Sequence, residues 1–286
     1  MQKMKIVSWN VNSVNTRLEH LLHLLRNIKP DFVCLQEIKC ENARFPYREI
    51  ADAGYFSAVC GMKSYNGVAI ISKHKLEDIV FEFPHAEIDA HNELYKQEPR
   101  KNLESRYIEA LACVGNSAVR VASVYVPNGG VSAKEADLDL GIYETERFKY
   151  KEAFYRDLKN HCQNLISQGE NLAFVGDYNI APQAIDVHNP KTCSKNIGFL
   201  PREQEIIADF QEIMPDYFRK LNPKENGFSW WDYRRGGYSE NRGMRIDQIL
   251  FSPNLEEKIQ AISVLQNYRE MERPSDHAPL LGEFVL

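Results

Sequence analysis

The stretch Leu172-Ala173-Phe174-Val175-Gly176-Asp177-Tyr178-Asn179 constrains the chain more than any other. Its leading residues are apolar, and so short a run between polar flanks reads as a buried strand. Gly176 then lets the backbone turn sharply. Asp177 and Asn179 follow at the strand's carboxyl end, and in extended geometry residues two apart point to the same side. A carboxylate and a carboxamide would then project together from a rigid edge, which holds side chains more closely than a loop does. The same Gly-Asp-x-Asn pattern is also that of an Asx-rich turn. Its meaning depends on whether other strands end in the same way.

Lys5–Asn10 reads as a buried strand ending on Asn10, Asn12 and Ser13. Thr16-Arg17-Leu18-Glu19 has the spacing of a capping box. Leu18, Leu21, Leu22, Leu25 and Ile28 then recur at helical spacing, and Pro30 closes the element. Asp31–Glu37 is a second buried strand, ending on a carboxylate. Strand, helix and strand in succession indicate an α/β arrangement. Tyr55–Cys60 and Gly67–Ser72 read as a strand pair. Residues 84–105 read as a polar, exposed insertion. Tyr107–Val114 and Val119–Val126 form an expected hairpin about Gly115-Asn116-Ser117. Glu144–Ser167 reads as a long helix, with Phe148, Tyr155, Leu158, Cys162 and Leu165 as its apolar stripe. A shorter helix carries Ile206, Phe210 and Ile213. Strands follow at Arg245–Ser252, Ile259–Leu265 and Leu280–Leu286. With no repeat, low-complexity tract or linker, the 286 residues are read as one domain, 1–286.

A net charge of −5 argues against binding nucleic acid by bulk electrostatics and leaves room only for a local basic patch. The six cysteines, Cys34, Cys40, Cys60, Cys113, Cys162 and Cys193, contain no CxxC pair. They read as reduced, mostly buried thiols rather than a disulfide framework or a zinc site. No apolar run of about 18 residues predicts a membrane span. The first strand begins so early that no signal or transit peptide is expected before it.

Polar residues thus end six candidate strands or lie beside them: Asn10, Glu37, Tyr125, Asp177 with Asn179, Asp247, and Asp276 with His277. Gathered at one sheet edge they would form a hard-oxygen site. Glu37 and Asp276 suit Mg²⁺ or Mn²⁺, with carboxamides and waters completing the shell.

Ser8-Trp9-Asn10-Val11-Asn12, Leu35-Gln36-Glu37-Ile38-Lys39, Tyr125-Val126-Pro127-Asn128, Gly176-Asp177-Tyr178-Asn179, Arg245-Ile246-Asp247 and Ser275-Asp276-His277 resemble the motifs of the exonuclease III family of abasic-site endonucleases, in that family's order. Gly198-Phe199-Leu200-Pro201 is similar to a further family segment. The family belongs to the endonuclease/exonuclease/phosphatase superfamily. The resemblance implies a four-layer α/β sandwich, in which two mixed β-sheets pack face to face with helices outside. It implies a Mg²⁺- or Mn²⁺-dependent hydrolase that cuts DNA 5′ to abasic sites and acts on 3′ ends as exonuclease, phosphodiesterase and phosphatase. Glu37 is then the main metal ligand, helped by Asn10 and Asp276, with Asp177, Asn179 and His277 also within the metal's reach. Asp177 would orient or deprotonate the attacking water beside Asn179. His277 would donate to a phosphate oxygen, Asp247 would hold the imidazole, and Tyr125 would contact the phosphate.

For DNA, Tyr65-Asn66-Gly67, Asn128 and the basic residues Arg106, Arg147, Lys149, Arg234, Arg235, Arg242 and Arg245 are candidate contacts. Met244 stands where relatives often carry an aromatic residue. Val131 stands where some place an arginine that enters the duplex. Trp230, Met244 and Ile246 are read as an apolar pocket for an extruded abasic sugar. Met244 and Ile246 would share one face of a strand, so Asp247 would reach His277 only through a twist or bulge. The expected partner is double-stranded DNA with abasic sites or damaged 3′ ends. The expected form is a monomer in the cytoplasm of a bacterial cell, acting on the chromosome. Two other readings stay open at this stage. One is a phosphodiesterase or phosphatase acting on a small molecule or lipid, and the other is a non-catalytic DNA-binding relative.

Overall fold

The computed structural model describes residues 2–82, 104–130 and 141–286. All but the last two residues of the expected polar insertion, together with Val131 and the Arg235 side chain, lie outside the described residues.

The amino-terminal part of the chain forms β1 (Lys3–Asn10), α1 (Leu18–Asn27), β2 (Phe32–Gln36), α2 (Tyr47–Asp52), β3 (Phe56–Cys60) and β4 (Val68–Ser72). The central part forms β5 (Leu76–Val80), β6 (Tyr107–Val114), β7 (Ser117–Tyr125), α3 (Glu146–Ser167) and β8 (Leu172–Asp177). After α4 (Pro201–Gln211) come β9 (Trp230–Trp231), β10 (Gly243–Met244), β11 (Asp247–Phe251), β12 (Ile259–Val264) and β13 (Leu280–Val285). One sheet runs β12-β13-β1-β2-β4-β3 and the other β11-β8-β7-β6-β5, while β9 and β10 pair separately. Each large sheet is mixed: β1 and β2 are parallel in the first, β7 and β8 in the second.

Alternation along the strands makes four layers. Met4 and Ile6 of β1 join Phe32, Ile70, Val121, Ala173, Val175 and Ile249 between the sheets. Val7 and Trp9 face the other way, against Leu21 and Leu25 of α1 and Ile50 of α2. Phe174 packs outward with Tyr155 and Leu158 of α3 and Ile207 and Phe210 of α4. Burying one large apolar side chain contributes about 1.5–3 kcal/mol. These three apolar interfaces therefore hold the sheets together and leave one edge free to carry polar groups.

Several sequence expectations change in detail. Thr16 does not cap α1: the N-cap is Arg17, without a side-chain cap, and the Thr16 hydroxyl pairs with Ser13 Oγ at 3.0 Å. The chain before the helix is bent by left-handed Asn12 and Ser13 (φ 44° and 90°). Arg17 turns back across that bend to donate to the carbonyls of Asn12 and Pro274. The long helix starts at Glu146 because Thr145 caps it, its Oγ1 accepting from Phe148 N at 3.2 Å. Edge strand β5, Leu76-Glu77-Asp78-Ile79-Val80, carried no readable signal because its middle is polar and exposed. The expected strand at Arg245 begins only at Asp247, since Gly243 and Met244 pair with β9 instead.

Gly176 is not a turn. It lies inside β8, paired with Gln248 and Val124, and has no left-handed backbone. A Cβ there would sit 1.8 Å from the Val124 carbonyl oxygen. Glycine is required because the neighbouring strand passes too close for any side chain. Gly176→Ala is expected to cost about 3 kcal/mol or more, as overpacking of a closed interior does. The urea midpoint should fall at unchanged slope. A midpoint equal to the wild type would show that the strands can part without strain.

Candidate active site

β1, β2, β7 and β8 end at one edge of the sandwich, and β11 starts there. Register places Tyr125, Asp177 and Asp247 side by side across β7, β8 and β11. In the other sheet Asn10 is paired with Gln36, so Glu37 emerges beside it. Asn10 joins the two sheets: its Nδ2 donates to Glu37 Oε1 at 3.1 Å and to Asp177 Oδ2 at 3.0 Å. Its own oxygen accepts from Asn12 N at 3.1 Å.

Asp177 and Asp247 are both buried and face each other in register. Two like charges so placed repel. His277 relieves the clash, with Nδ1 2.8 Å from Asp247 Oδ2 and Nε2 3.8 Å from Asp177 Oδ2. Burial alone would push the imidazole's pKa down. The Asp247 carboxylate, then those of Asp177 and Asp276, outweigh it and lift the pKa to about 10. Burial first, and the facing Asp247 second, raise the pKa of Asp177 to about 7. The result is an imidazolium clamped between two acids, one of them poised near neutrality. Ser229 fixes Asp247, its Oγ donating to Oδ2 at 2.6 Å. The loop carrying His277 is tied to β1, where Trp9 Nε1 donates to the His277 carbonyl and Ser275 Oγ to the Asn10 carbonyl.

Glu37 leaves β2 in the left-handed region, φ 50°. Its Oε1 accepts from the Tyr125 hydroxyl at 2.8 Å and its Oε2 lies 2.7 Å from Lys39 Nζ. Burial acts to raise the carboxyl's pKa, but Lys39, Asn10 and His277 outweigh it and hold the pKa below its usual value. Burial, then Glu37 and Asp177, push the Tyr125 hydroxyl well above its ordinary pKa. Asp276 accepts from Asn12 Nδ2 at 2.9 Å and from Trp230 Nε1 at 3.1 Å. Ligand atoms of Asp177, Asp247 and His277 lie within 4.8 Å of one another, although the imidazole offers a lone pair to a metal ion only when neutral.

Asn179 does not continue the strand. Its φ is 52°, its Nδ2 donates to the Val126 carbonyl and its Oδ1 accepts from Asn128. It reaches Asp177 through its backbone N–H, which donates to Asp177 Oδ1 at 3.0 Å. The stretch is thus an Asx turn at the end of β8, and Asn179 does not project beside Asp177 as an extended strand would have it.

Glu37, Tyr125, Asn128, Asp177, Asn179, Asp276 and His277 line a cleft of about 1220 Å³. Trp230, Met244 and Ile246 line it too, packed with Val187, Cys193 and Phe199. The break between β10 and β11 supplies the expected irregularity: Met244 and Ile246 face the cleft while Asp247 reaches His277.

The basic candidates divide. Arg234 and Arg242 stand on the cleft, paired with Asp232 and Glu240. Tyr65 is 71% exposed on the β3–β4 loop and does not line the cleft. Arg106 is mostly buried, paired with Glu104, with its guanidinium 4.6 Å from the Tyr125 ring centre, so it faces the tyrosine rather than the cleft. Lys149 pairs with Glu144, and neither it nor Arg147 lines the cleft. Arg245 is fully buried, bonded to Asp186 and Asp216, so it is no free phosphate contact. Sequence reasoning passed over Asn12 and Lys39, although both lie inside the motifs quoted. It also passed over Ser229, which has no signal besides its place before Trp230. All six cysteines are free, and Cys34, Cys40, Cys162 and Cys193 are buried.

Residues 7–277 match the Endonuclease/Exonuclease/phosphatase family. The chain is 33% identical over 289 residues to exodeoxyribonuclease III of Haemophilus influenzae, covering 98% of this chain and all of that one. A 3′ phosphatase from Neisseria bound to a product DNA hairpin superposes with a TM-score of 0.84 at 31% identity, covering 99% of this chain and 100% of that one. An AP endonuclease from Archaeoglobus fulgidus gives 0.83 at 31% identity, with the same coverage.

The Arg245 network makes a separate statement about stability. Asp186 holds Arg245 at 2.7 Å and Arg219 at 2.5 Å. Removing one partner of a buried pair typically costs about 3–5 kcal/mol, because the other charge stays buried and unpaired. Asp186→Ala should show a loss toward the lower end of that range in chemical denaturation, since Arg245 keeps Asp216 at 2.6 Å. A loss below about 1 kcal/mol would mean that the arginines reach water.

Proposed function

The chain belongs to the endonuclease/exonuclease/phosphatase family, and we propose that it is a Mg²⁺- or Mn²⁺-dependent DNA repair nuclease. It hydrolyses the phosphodiester 5′ to an abasic site and processes 3′ ends of duplex DNA as exonuclease, phosphodiesterase and phosphatase. The observation that carries this reading is the His277 imidazole, bonded to Asp247 and beside Asp177, placed next to an apolar wall of Trp230, Met244 and Ile246 in one cleft. The charged half suits a phosphodiester and the apolar half a sugar without a base. The cleft is built within one chain, which supports a monomer as the working form.

Hydrolysis needs a water in line with the phosphorus and stabilisation of charge on the phosphate and the departing 3′ oxygen. Asp177, poised near neutral pH, orients that water and takes its proton. His277, held protonated by Asp247, donates from Nε2 to a non-bridging oxygen whose charge grows in the transition state. Tyr125 contacts the same phosphate through its hydroxyl. Asn179 steadies Asp177 through its N–H. Asn10 holds Glu37 and Asp177 in fixed separation.

The donor set fits a hard divalent cation: Glu37 and Asp276 present carboxylate oxygens at the cleft, with Asp177 and Asn179 beside them. When bound there, the cation neutralises charge on the phosphate and on the leaving oxygen. Asn10 turns its nitrogen to both carboxylates and so shapes the set from behind.

Wild-type protein should cut a duplex carrying one abasic analogue with Mg²⁺ and lose that activity in excess EDTA. Glu37→Gln should need more metal for the same rate. Asp177→Asn and His277→Asn should each lower turnover by roughly 10²-fold or more while duplex affinity stays near wild type. Undiminished cleavage in EDTA, or a loss of binding that matches the loss of rate, would contradict these roles.

The apolar wall should set selectivity. A small pocket without polar partners admits an abasic sugar and excludes a nucleotide, and the missing base lowers the cost of extrusion. Trp230→Ala should lower cleavage of abasic duplex relative to digestion of an intact recessed 3′ end. If that ratio is unchanged in a folded variant, the wall does not select the sugar.

A further inference from the structure

Lys151 of α3 and Glu203 of α4 form an ion pair with no solvent exposure at either side chain. Burying both charges brings a desolvation penalty that well-packed apolar residues would avoid, so stability alone does not account for the pair. Its hydrogen bonds do. Lys151 Nζ donates to the Asn128 carbonyl at 3.0 Å, to the Asn179 carbonyl at 2.9 Å, and to Glu203 Oε1. Those bonds use all three ammonium protons. Glu203 Oε2 accepts from the backbone N–H groups of Gly198 at 2.6 Å and Leu200 at 2.9 Å.

The three segments so tied are walls of the cleft. The loop after β7 carries Asn128, and the loop after β8 carries Asn179. The third carries Gly198, whose added Cβ would lie 3.3 Å from Met244 Cε. Asn179 and Gly198 both hold left-handed backbone, φ 52° and 92°, and such conformations persist where surrounding contacts over-determine them. Gly129 shows how closely the lysine is seated, since a Cβ there would meet Lys151 Cδ at 2.8 Å.

We propose that the Lys151–Glu203 pair is a positioning device that sets Asp177, through the Asn179 backbone, in register with the apolar wall around Gly198. The assignment rests on the nuclease reading above, in which Asp177 addresses the water and the wall seats the sugar. Neither residue touches the substrate. Their effect is on the distance between the two halves of the site, where an error of about 1 Å can cost roughly 10²-fold in rate.

The test is the double variant Lys151→Met with Glu203→Gln, which removes both charges at nearly constant volume. It is compared with Leu21→Ala, a cavity in the opposite helix layer that lowers stability without touching the cleft. Turnover and KM are measured on a duplex with one abasic analogue, and amide exchange is followed at Asn179, Gly198 and Leu200. The double variant should lose roughly ten- to hundredfold in turnover with KM changed less than about threefold. Exchange should quicken at those three amides ahead of the rest of the fold. Leu21→Ala should keep near wild-type turnover. A folded double variant with turnover within about twofold of wild type, or with the three amides exchanging as before, overturns the proposal. If the double variant does not fold, Glu203→Gln alone decides by the same readings at Gly198 and Leu200. Wild-type protein that fails to cut the abasic duplex overturns the nuclease reading instead, and the exchange comparison still decides whether the pair positions the loops.

Discussion

Asp177 and Asp247 face each other from adjacent strands, both out of water, and the rest of the site answers to that repulsion. Left alone, the two carboxylates would repel and push the strands apart. His277 bonded to Asp247, with Asp177 within 4 Å, makes the arrangement stable. The imidazole in turn needs a fixed backbone: Trp9 of β1 holds the His277 carbonyl, and Ser275 of the same loop bonds both the His277 N–H and the Asn10 carbonyl. A residue of β1 therefore helps to set the charge state of a residue of β8. The Asn10 amide, bonded to Glu37 and Asp177, closes the same loop from the front. Two sheets packed about 10 Å apart bring these groups into hydrogen-bond reach. A single sheet could not, because its neighbouring strands would place the acids together without the base.

The edge also concentrates backbone strain. Asn12, Ser13, Glu37, Lys39 and Asn179 all have positive φ. Non-glycine residues in that region cost of order 1–3 kcal/mol each when they are unfavourable there, although Asn bears it more easily. The apolar layers exceed that cost several times over, because one well-buried aliphatic residue offsets one strained residue. The bends have a geometric purpose. Residues two apart on an extended strand already share a side, and the left-handed steps at Glu37 and Lys39 turn that side back toward Asn12. Lys39 Nζ meets Glu37 at 2.7 Å and Asn12 Oδ1 at 2.6 Å, which left-handed steps make reachable.

Much of this was legible in the sequence because a strand end is a local signal. An apolar run that stops on Asn, Glu or Asp announces both the strand and the polar edge, as at Asn10, Glu37 and Asp177, and three such ends in one chain are hard to explain otherwise. Gly176 shows where the signal misleads. Glycine at a strand end suggests a turn, but its reason lies across the sheet, in the Val124 carbonyl, which no local pattern reveals. Arg245 misleads in the same way. A basic residue beside a catalytic motif looks like a phosphate contact, yet its partners Asp186 and Asp216 are distant in sequence. Thr16 failed as a cap because the preceding residues were already committed to the site. Ser229, Lys151 and Glu203 were invisible for a common reason. Each acts by bonding backbone or a carboxylate brought near only by the fold.

The distribution of charge completes the argument about substrate. With net charge −5, the chain cannot draw DNA in by its overall field. At the cleft Arg234 and Arg242 are matched by Asp232 and Glu240, so the rim is close to neutral. Beyond Lys39, however, a smaller groove of about 310 Å³ is lined by Arg44 and Lys63 with Glu41 as its one acid. The basic character thus lies to one side of the reacting centre. Phosphate contacts position a duplex without reading its sequence. The apolar wall sits in the cleft itself, where acids outnumber arginines. The basic groove on the loops around β2 and β4 and the apolar wall at the break between β10 and β11 thus lie on different surfaces.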